Sequence, residues 1–228
     1  MFADCNWDRL LAGDELIIAR PDIASINITG SIFDEDHWVI FCPQLAGFDA
    51  YTIFPVGDPP PVPVIQAMIF DAYAQTPVVA FNPITSPDGD DDVMLITQMT
   101  TFLWVDEAAW ATPAVATISL PLPGAAFSVS TTATPRMAYW SGGDEPAECD
   151  GDDMHPYVFG IGGDDAQPSN CSMVYTKSSA LQENRVDLEV VWDVSYSCST
   201  SDCGGLLPDI TTISTRSVVV GEIQAVEN

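Results

Sequence analysis

Basic side chains are scarce in this sequence, which has one lysine, Lys177, and five arginines among its 228 residues. Thirty-three acidic residues bring the formal net charge to −27 at neutral pH. Nucleic acids and anionic membrane surfaces attract lysine and arginine, so this balance argues against both as partners. An acidic, lysine-poor surface stays hydrated at high ionic strength and is typical of marine or halophilic proteins, but ordinary acidic secreted proteins share it.

Long apolar runs and a leader peptide are also missing. No stretch approaches the ~18 consecutive apolar residues of a membrane-spanning helix. The first five residues lack the basic and apolar regions of a signal peptide. The chain is nonetheless 47% hydrophobic and 10% aromatic, which is enough to bury a core. We therefore expect a folded protein with no membrane span. Either the chain is numbered from a mature or truncated start, or it is not secreted, and the cysteines favour the first option.

The sequence also lacks the recognisable catalytic motifs. Its two histidines, His37 and His155, are far apart, and neither neighbours a nucleophile motif. There is no Gly-x-Ser-x-Gly, His-Glu-x-x-His, phosphate-binding or dinucleotide-binding fingerprint. Paired carboxylates carry no information in so acidic a chain. We expect His37 in a core strand and His155 in a loop, and we predict that the protein is not an enzyme.

Six cysteines form three neighbourhoods, and none belongs to a Cys-x-x-Cys pair. Because only two histidines are available, a zinc site is poorly supplied, and disulfides in an oxidising compartment are the better interpretation. Among the fifteen connectivities that six cysteines allow, we predict Cys5–Cys42, Cys149–Cys171 and Cys198–Cys203. These bonds favour a secreted, extracellular protein.

A proline-rich stretch divides the sequence into two predicted domains. Residues 1–57 form an N-terminal β segment, with strand signatures over 26–32, 37–42 and 48–54. Residues 58–63 form a stiff linker with three successive prolines. Residues 64–228 form the second domain, which opens with a helix predicted over Pro63 to Gln75. The apolar residues that recur there with helical spacing are Ile65, Met68, Ile69, Ala72 and Tyr73.

The rest of the second domain has the pattern of strands separated by Pro, Gly and Asp turns. The strongest strand is Val186 to Cys198, where apolar and polar side chains alternate as in a strand with one face in a core. The other predicted strands are Val93 to Val105, Thr117 to Leu122 and Phe127 to Ala133. Ile210 to Val226 is predicted to form a long closing strand or a strand pair. Many strands with one short helix predict a mainly β fold, a β-sandwich.

The order of motifs in the second domain resembles a known group of proteins. The motifs are Leu103 to Asp106, Trp110, Ser128 to Trp140, Cys149, Cys171, Val174-Tyr175, Val190 to Tyr196, Leu207 to Asp209 and Val220 to Val226. Over about residues 63–228 they are similar to uncharacterised secreted actinobacterial proteins with a domain like the polycystic kidney disease (PKD) repeats. The resemblance implies an immunoglobulin-like sandwich in a cell-surface module that contacts proteins or glycans. The spacing of Trp140 to Asp144 departs from the usual PKD turn, Cys198–Cys203 is not expected of the group, and residues 1–57 lie outside the match.

Two acidic runs have the carboxylates that calcium prefers. In the first, Asp88, Asp90 and Asp92 alternate with other residues, but Val93 and Met99 stand where an EF-hand needs Gly and Glu. The second run, formed by Asp150, Asp152 and Asp153, lies between the cysteines of a predicted disulfide. Each run is a candidate Ca²⁺ site, and each has a solvated acidic loop as its alternative. We expect no other cofactor.

The six tryptophans divide into core and surface candidates. Trp104 and Trp192 lie in apolar strands, whereas Trp7 and Trp110 lie in polar or Ala-flanked stretches and are candidates for stacking against a ligand. We therefore predict a non-catalytic extracellular structural or interaction protein of the cell surface. Its partners would be copies of itself, joined through strand edges into a filament or lattice, or other cell-envelope proteins and glycans. The alternative prediction is a glycan-binding module, for which the two acidic runs are the candidate Ca²⁺ sites.

Overall fold

The structure, a computed structural model, describes residues 6–10, 37–45, 48–55, 60, 62–86, 95–120, 126–158, 167–179, 184–200 and 202–222. Within these ranges the chain is mainly β, with thirteen strands and two helices. The prediction of a mainly β fold is therefore confirmed. No helix in these ranges is long and apolar enough to cross a membrane. The strand predicted at 26–32 lies outside the described residues.

Contacts divide the chain into two compact units. The first consists of residues 1–75, 116–131 and 196–205, and the second consists of residues 76–115, 132–195 and 206–228. The predicted N-terminal segment and the proline-rich linker both belong to the first unit. There, β1 (Asn6–Leu10), β2 (His37–Leu45) and β3 (Phe48–Pro55) form an antiparallel sheet in that order. Strands β2 and β3 cover two of the predicted strands, and His37 opens β2 as a half-buried residue.

The predicted helix is present as α1 (Val62–Ala74), also in the first unit. Val64, Ala67, Met68, Ile69 and Ala72 are buried, whereas Ile65 and Tyr73 are half-buried. The side chain of Thr131 donates a hydrogen bond of 3.1 Å to the carbonyl of Ala72. The helix ends shortly before Pro77, because the residue before a proline disfavours helical backbone. The apolar spacing therefore located the helix and most of its buried face.

The largest sheet has the strand order β12–β11–β8–β7, and β9 also pairs with β8. Its strands are β7 (Ala114–Leu120), β8 (Phe127–Ser141), β9 (Ala147–Cys149), β11 (Asn184–Cys198) and β12 (Gly204–Val218). Five residues connect β11 to β12, so these hydrogen-bonded neighbours must be antiparallel. β11 buries every second residue, and its buried row consists of Val186, Leu188, Val190, Trp192 and Val194. The alternation predicted for this strand is thus confirmed.

The shorter strands of the second unit form two further sheets. β6 (Thr100–Trp104) pairs on one side with β4 (Ile84–Thr85) and on the other with β10 (Ser172–Val174). β5 (Leu95–Ile96) pairs in parallel with β13 (Val220–Gly221). Val105, Leu103 and Phe102 are nearly inaccessible to solvent. These residues form part of the apolar core of the second unit.

Three predicted strands had the wrong boundaries. The strand predicted over Val93 to Val105 is two strands, because the backbone turns at Gln98, whose φ is 63°. The segment Ile210 to Val226 was predicted as a closing strand or a strand pair, and it holds most of β12 together with the short β13. Its start was misplaced, because β12 begins at Gly204. The strand predicted to end at Ala133 continues to Ser141. In this strand the buried positions are odd-numbered up to Pro135 and even-numbered from Ala138 onward. Such a shift is typical of a β-bulge, and a strand tolerates proline at a bulge.

Two of the predicted disulfides are present. Cys149 and Cys171 are bonded with their Cα atoms 5.7 Å apart, and Cys198 is bonded to Cys203. Cys149 and Cys171 are both buried. Cys198 ends β11 and Cys203 immediately precedes β12, so their bond closes the connection between these strands. The third pair, Cys5–Cys42, involves a residue outside the described ranges and stays a prediction.

The two disulfides differ in the length of chain that they close, and we expect their removal to differ in cost. The Cys149–Cys171 bond spans 22 residues and the Cys198–Cys203 bond spans 5. On the chain-entropy model, the double variant C149S/C171S loses about 3 kcal/mol of unfolding free energy and C198S/C203S about 2 kcal/mol. Urea unfolding without reductant measures both values. A larger loss for C198S/C203S would contradict the expectation.

Tyr175 provides a second test, because its hydroxyl is buried and has no hydrogen-bond partner among the residues that the structure describes. Burial raises the pKa of this phenol from 10.0 to about 12. A raised pKa means that the neutral form is favoured in the folded state, so this contribution to stability is lost between pH 10 and pH 12. We expect Tyr175→Phe to weaken that loss and to raise the unfolding free energy at neutral pH by about 1 kcal/mol.

The control for this test is Tyr139→Phe, since Tyr139 is 38% exposed. Chemical unfolding at neutral pH and at a series of alkaline pH values compares the two variants with the wild type. A marked destabilisation by Tyr175→Phe at neutral pH would show that the hydroxyl has a partner and would refute the assignment.

Candidate functional site

The structure brings one predicted stacking residue and one predicted acidic residue to the same place. Trp110 and Asp152 both line an open cleft in the second unit, which we call the Trp110 cleft. Its lining residues are Val105, Glu107, Trp110, Ala111, Gly151, Asp152, Met154 and His155. The other stacking candidate, Trp7, lies in β1, and its side chain is outside the described part of the structure. Asp88, Asp90 and Asp92 are also outside it.

A single turn of helix holds Trp110 at the cleft. This turn, α2 (Glu107–Trp110), begins at Asp106, whose Oδ1 accepts a hydrogen bond of 2.7 Å from the amide of Ala109. An aspartate in this position satisfies an amide that otherwise lacks a partner at the start of a helix. Thr112 donates its hydroxyl to the carbonyl of Ala108 at the other end. Both ends of α2 are therefore fixed by local side chains, although the sequence analysis predicted only one helix.

The opposite wall of the cleft is a tight turn over residues 150–153. Oδ1 of Asp150 accepts hydrogen bonds from the amides of Asp152 at 2.9 Å and Asp153 at 3.2 Å. The carbonyl of Asp153 in turn accepts bonds from the amides of Asn170 and Cys171. The turn begins directly after Cys149, which is bonded to Cys171. The disulfide and the Asp150 side chain together fix the turn that places Gly151 and Asp152 in the cleft.

A hydrogen-bond contact between side chains joins α2 to the loop that follows the turn. Nδ1 of His155 lies 3.1 Å from Oε1 of Glu107, and both side chains are partly exposed, at 40% and 58%. His155 lies in a loop, as predicted. An exposed pair of this kind contributes little to stability, but it fixes where the imidazole and the carboxylate lie. The buried side chains of Val105 and Met154 supply apolar lining. The cleft thus has apolar walls with hydrogen-bonding groups beside them.

Aromatic packing links the cleft to the core of the second unit. Phe81 packs on Trp110 with ring centroids 5.5 Å apart and stacks on Trp192 at 5.4 Å, with planes only 9° apart. Trp192 is almost inaccessible to solvent, as predicted for a core residue, and its Nε1 donates to the hydroxyl of Thr212. Trp110 is half-buried. The indole at the cleft therefore packs on Phe81, which is itself buried and stacked on Trp192.

The acidic turn does not gather the ligands of a metal ion. Among the residues that the structure describes, no group of three or more His, Cys, Asp and Glu side chains could hold one. Asp150 uses a carboxylate oxygen to accept two backbone amides within its own turn. The calcium site predicted from Asp150, Asp152 and Asp153 therefore has no support in the geometry.

A second candidate surface is the outward face of the large sheet, where arginines bridge neighbouring strands. Arg136 on β8 pairs with Asp193 on β11 at 2.9 Å and with Asp209 on β12 at 3.1 Å. Arg185 pairs with Asp187 along β11 at 2.8 Å and also donates to the hydroxyl of Thr215 on β12. The hydroxyl of Thr215 and then Arg185 hold the pKa of Asp187 below its usual value by hydrogen bonding. Cross-strand pairs of this kind favour one register of β12 on β11.

Strand β12 forms one edge of this sheet, with no described strand on its outer side. Two of its apolar side chains are strongly exposed, Leu206 at 85% and Ile213 at 65%. The six residues from Ile210 to Thr215 carry no charge, and all of them except Ser214 are β-branched isoleucines or threonines. A long edge with this composition can pair with another strand.

Glu107, Gly151 and His155 line the cleft, but the sequence pattern did not predict a binding role for any of them. Glu107 follows the capping residue Asp106, so the Asp-Glu-Ala-Ala pattern was the signal that could have found α2. Gly151 and His155 are 44 and 48 positions from Glu107 and come near it only through the tertiary fold. Local sequence patterns contain no information about such an approach.

Position 151 needs a glycine because the Trp110 indole lies too close for a side chain, and this gives a test of the cleft. A Cβ at position 151 would lie 2.5 Å from Nε1 of Trp110 and 3.0 Å from Cδ1. We expect Gly151→Ala to displace the ring, shift the Trp110 indole NMR resonance and cost about 1–3 kcal/mol. Gly143→Ala is the matched control, since the nearest atom there is the flexible Met173 Sδ at 2.8 Å. An unmoved Trp110 resonance in Gly151→Ala would contradict the packing described.

Comparison with known proteins does not assign a function to either surface. No protein-family model, curated protein or solved structure matches the chain.

Proposed function

We propose that this chain is a non-catalytic extracellular structural protein that assembles with copies of itself through the edge of β12. The observation that carries the proposal is the fifteen-residue edge strand, whose uncharged central run exposes Ile213. Pairing two such edges would satisfy outward backbone groups and cover the apolar side chain.

Charge favours a second copy as the occupant of this edge. Two chains that each carry −27 repel one another over most of their surface. From Ile210 to Thr215 the edge has no charge, and Arg136 and Arg185 partly compensate the carboxylates beside it. A copy of the same edge can approach there without placing like charges against each other. High salt would screen the remaining repulsion and strengthen the assembly.

The edge also has a feature that limits pairing. Pro208 lacks an amide hydrogen, and the half-buried positions of β12 change phase at Pro208 and Asp209. Natural sheets use proline and bulges on edge strands to block uncontrolled association. We therefore place the interface on the run after Asp209. The blocked part of the strand would restrict association to one register and so favour an ordered assembly.

The setting that we propose is the cell surface. Two disulfides in the described residues are characteristic of oxidising, extracellular compartments. The sheets of the second unit, with strands that bury one face, are compatible with the immunoglobulin-like or PKD-like sandwich that the sequence resemblance implies. On this proposal the chain is a secreted module of the kind found in actinobacterial envelopes.

The test is the assembly state of two matched variants. We expect wild-type protein to form dimers or larger species with increasing concentration and salt, as measured by light scattering coupled to gel filtration. Ile213→Glu, which would place two negative charges across the interface, is expected to weaken association by about tenfold or more. Phe70→Glu is the control. It adds the same negative charge at a position that is 67% exposed on α1, away from β12 in the chain.

A strict monomer at every concentration and salt level would refute self-assembly. Equal weakening by Ile213→Glu and Phe70→Glu would show that charge alone, and not the β12 edge, controls association. If the protein assembles only after an envelope extract is added, its partner is not a second copy of this chain, and the proposal is overturned.

A further inference from the structure

We infer that the Trp110 cleft binds a neutral sugar residue, which stacks on the indole and hydrogen-bonds to the polar groups around it. This inference goes beyond the proposed assembly, and it concerns a different part of the second unit. It develops the alternative that the sequence analysis left open, but it replaces calcium with direct contacts to the sugar. Three features of the cleft support it.

The first feature is a pre-formed aromatic surface. A sugar presents patches of C–H groups that pack on an aromatic ring, and a rigid ring loses little conformational entropy on binding. Phe81 and Trp192 support the Trp110 indole, and Gly151 allows the turn to approach its edge. The ring is only half-buried, so part of it remains accessible to a ligand.

The second feature is a set of unused hydrogen-bond acceptors. Within the described part of the chain, the side-chain oxygens of Asp152 make no hydrogen bond. Glu107 uses only Oε1 in its contact with His155. The cleft thus offers carboxylate oxygens to a ligand. Sugar hydroxyls can donate hydrogen bonds to these acceptors.

The third feature is size and charge. The cleft has a volume of about 290 Å³, at the lower end of the range of ligand pockets, ~300–1,000 Å³. Its carboxylates disfavour an anion. A quaternary ammonium ion is better served by several Trp, Tyr or Phe rings around one site, whereas Trp110 is the single residue of these types among the described residues that line this cleft. A neutral, polyhydroxylated ring of one or two sugar units therefore fits the lining best.

The experiment is a titration of the wild-type protein with defined probes. Glucose, galactose, mannose and N-acetylglucosamine, together with their β-linked methyl glycosides, are added up to about 50 mM, because weak single-site affinities extend into the millimolar range. Binding is followed by calorimetry and by the Trp110 indole resonance. We expect at least one sugar to bind and to shift that resonance. Choline is titrated in parallel as the cationic competitor.

Three variants locate the site. Asp152→Asn keeps the shape of an exposed side chain but loses a charged acceptor, and we expect about tenfold weaker binding. Trp110→Ala is expected to abolish binding. Glu148→Gln is the matched control, because Glu148 is exposed on β9 and does not line the cleft, so binding should be unchanged. If Trp110→Ala does not fold, Asp152→Asn still decides the question.

Each other result would overturn the inference. The inference is wrong if no sugar binds. It is also wrong if Asp152→Asn and Trp110→Ala leave sugar binding unchanged, or if choline binds more tightly than every sugar. The assembly variant Ile213→Glu should retain sugar binding, since Ile213 does not line the cleft. Failure of self-assembly and failure of sugar binding are therefore separate outcomes.

Discussion

The period-two burial along β11 is the constraint on which the rest of the second unit depends. Val186, Leu188, Val190, Trp192 and Val194 each lose almost all contact with solvent, and the residues between them face outward. Because side chains alternate strictly along a strand, a shift of one residue would bury the charged row and expose the apolar one. A large free-energy penalty for burying charged side chains therefore fixes the register of this strand. Its buried face supports the cleft through the Trp192 ring, and its opposite face carries carboxylates that pair with arginines.

The two candidate surfaces differ in which groups lie beside their carboxylates. On the outward face, Arg136 and Arg185 compensate nearby carboxylates and bind β12 to its neighbours. The uncharged run of β12 that follows Asp209 is the part of the edge best suited to another strand. At the Trp110 cleft, by contrast, carboxylates stand beside an aromatic ring and an imidazole. The first arrangement suits a protein partner, and the second suits a small polar ligand.

The sequence predicted the features that depend on local periodicity. The helix after the proline-rich stretch and the alternating strand from Val186 onward were found, because the spacing of apolar residues specifies them. Two of the disulfides were also predicted, by pairing cysteines of the same sequence neighbourhood among fifteen possible connectivities. The break at Gln98 was missed, since a positive φ at a non-glycine residue leaves no clear pattern. The cleft was predicted only in part. Trp110 and Asp152 were candidates, but their approach depends on a turn fixed by Asp150 and a disulfide.

The most direct test of the proposed assembly is hydrogen exchange of the β12 backbone as a function of protein concentration. If a second copy pairs with this edge, amides in the run from Ile210 to Thr215 should gain protection as concentration rises. Amides of α1, which is not part of the proposed interface, should exchange at the same rate throughout. Exchange in β12 that is identical at low and high concentration would contradict the account.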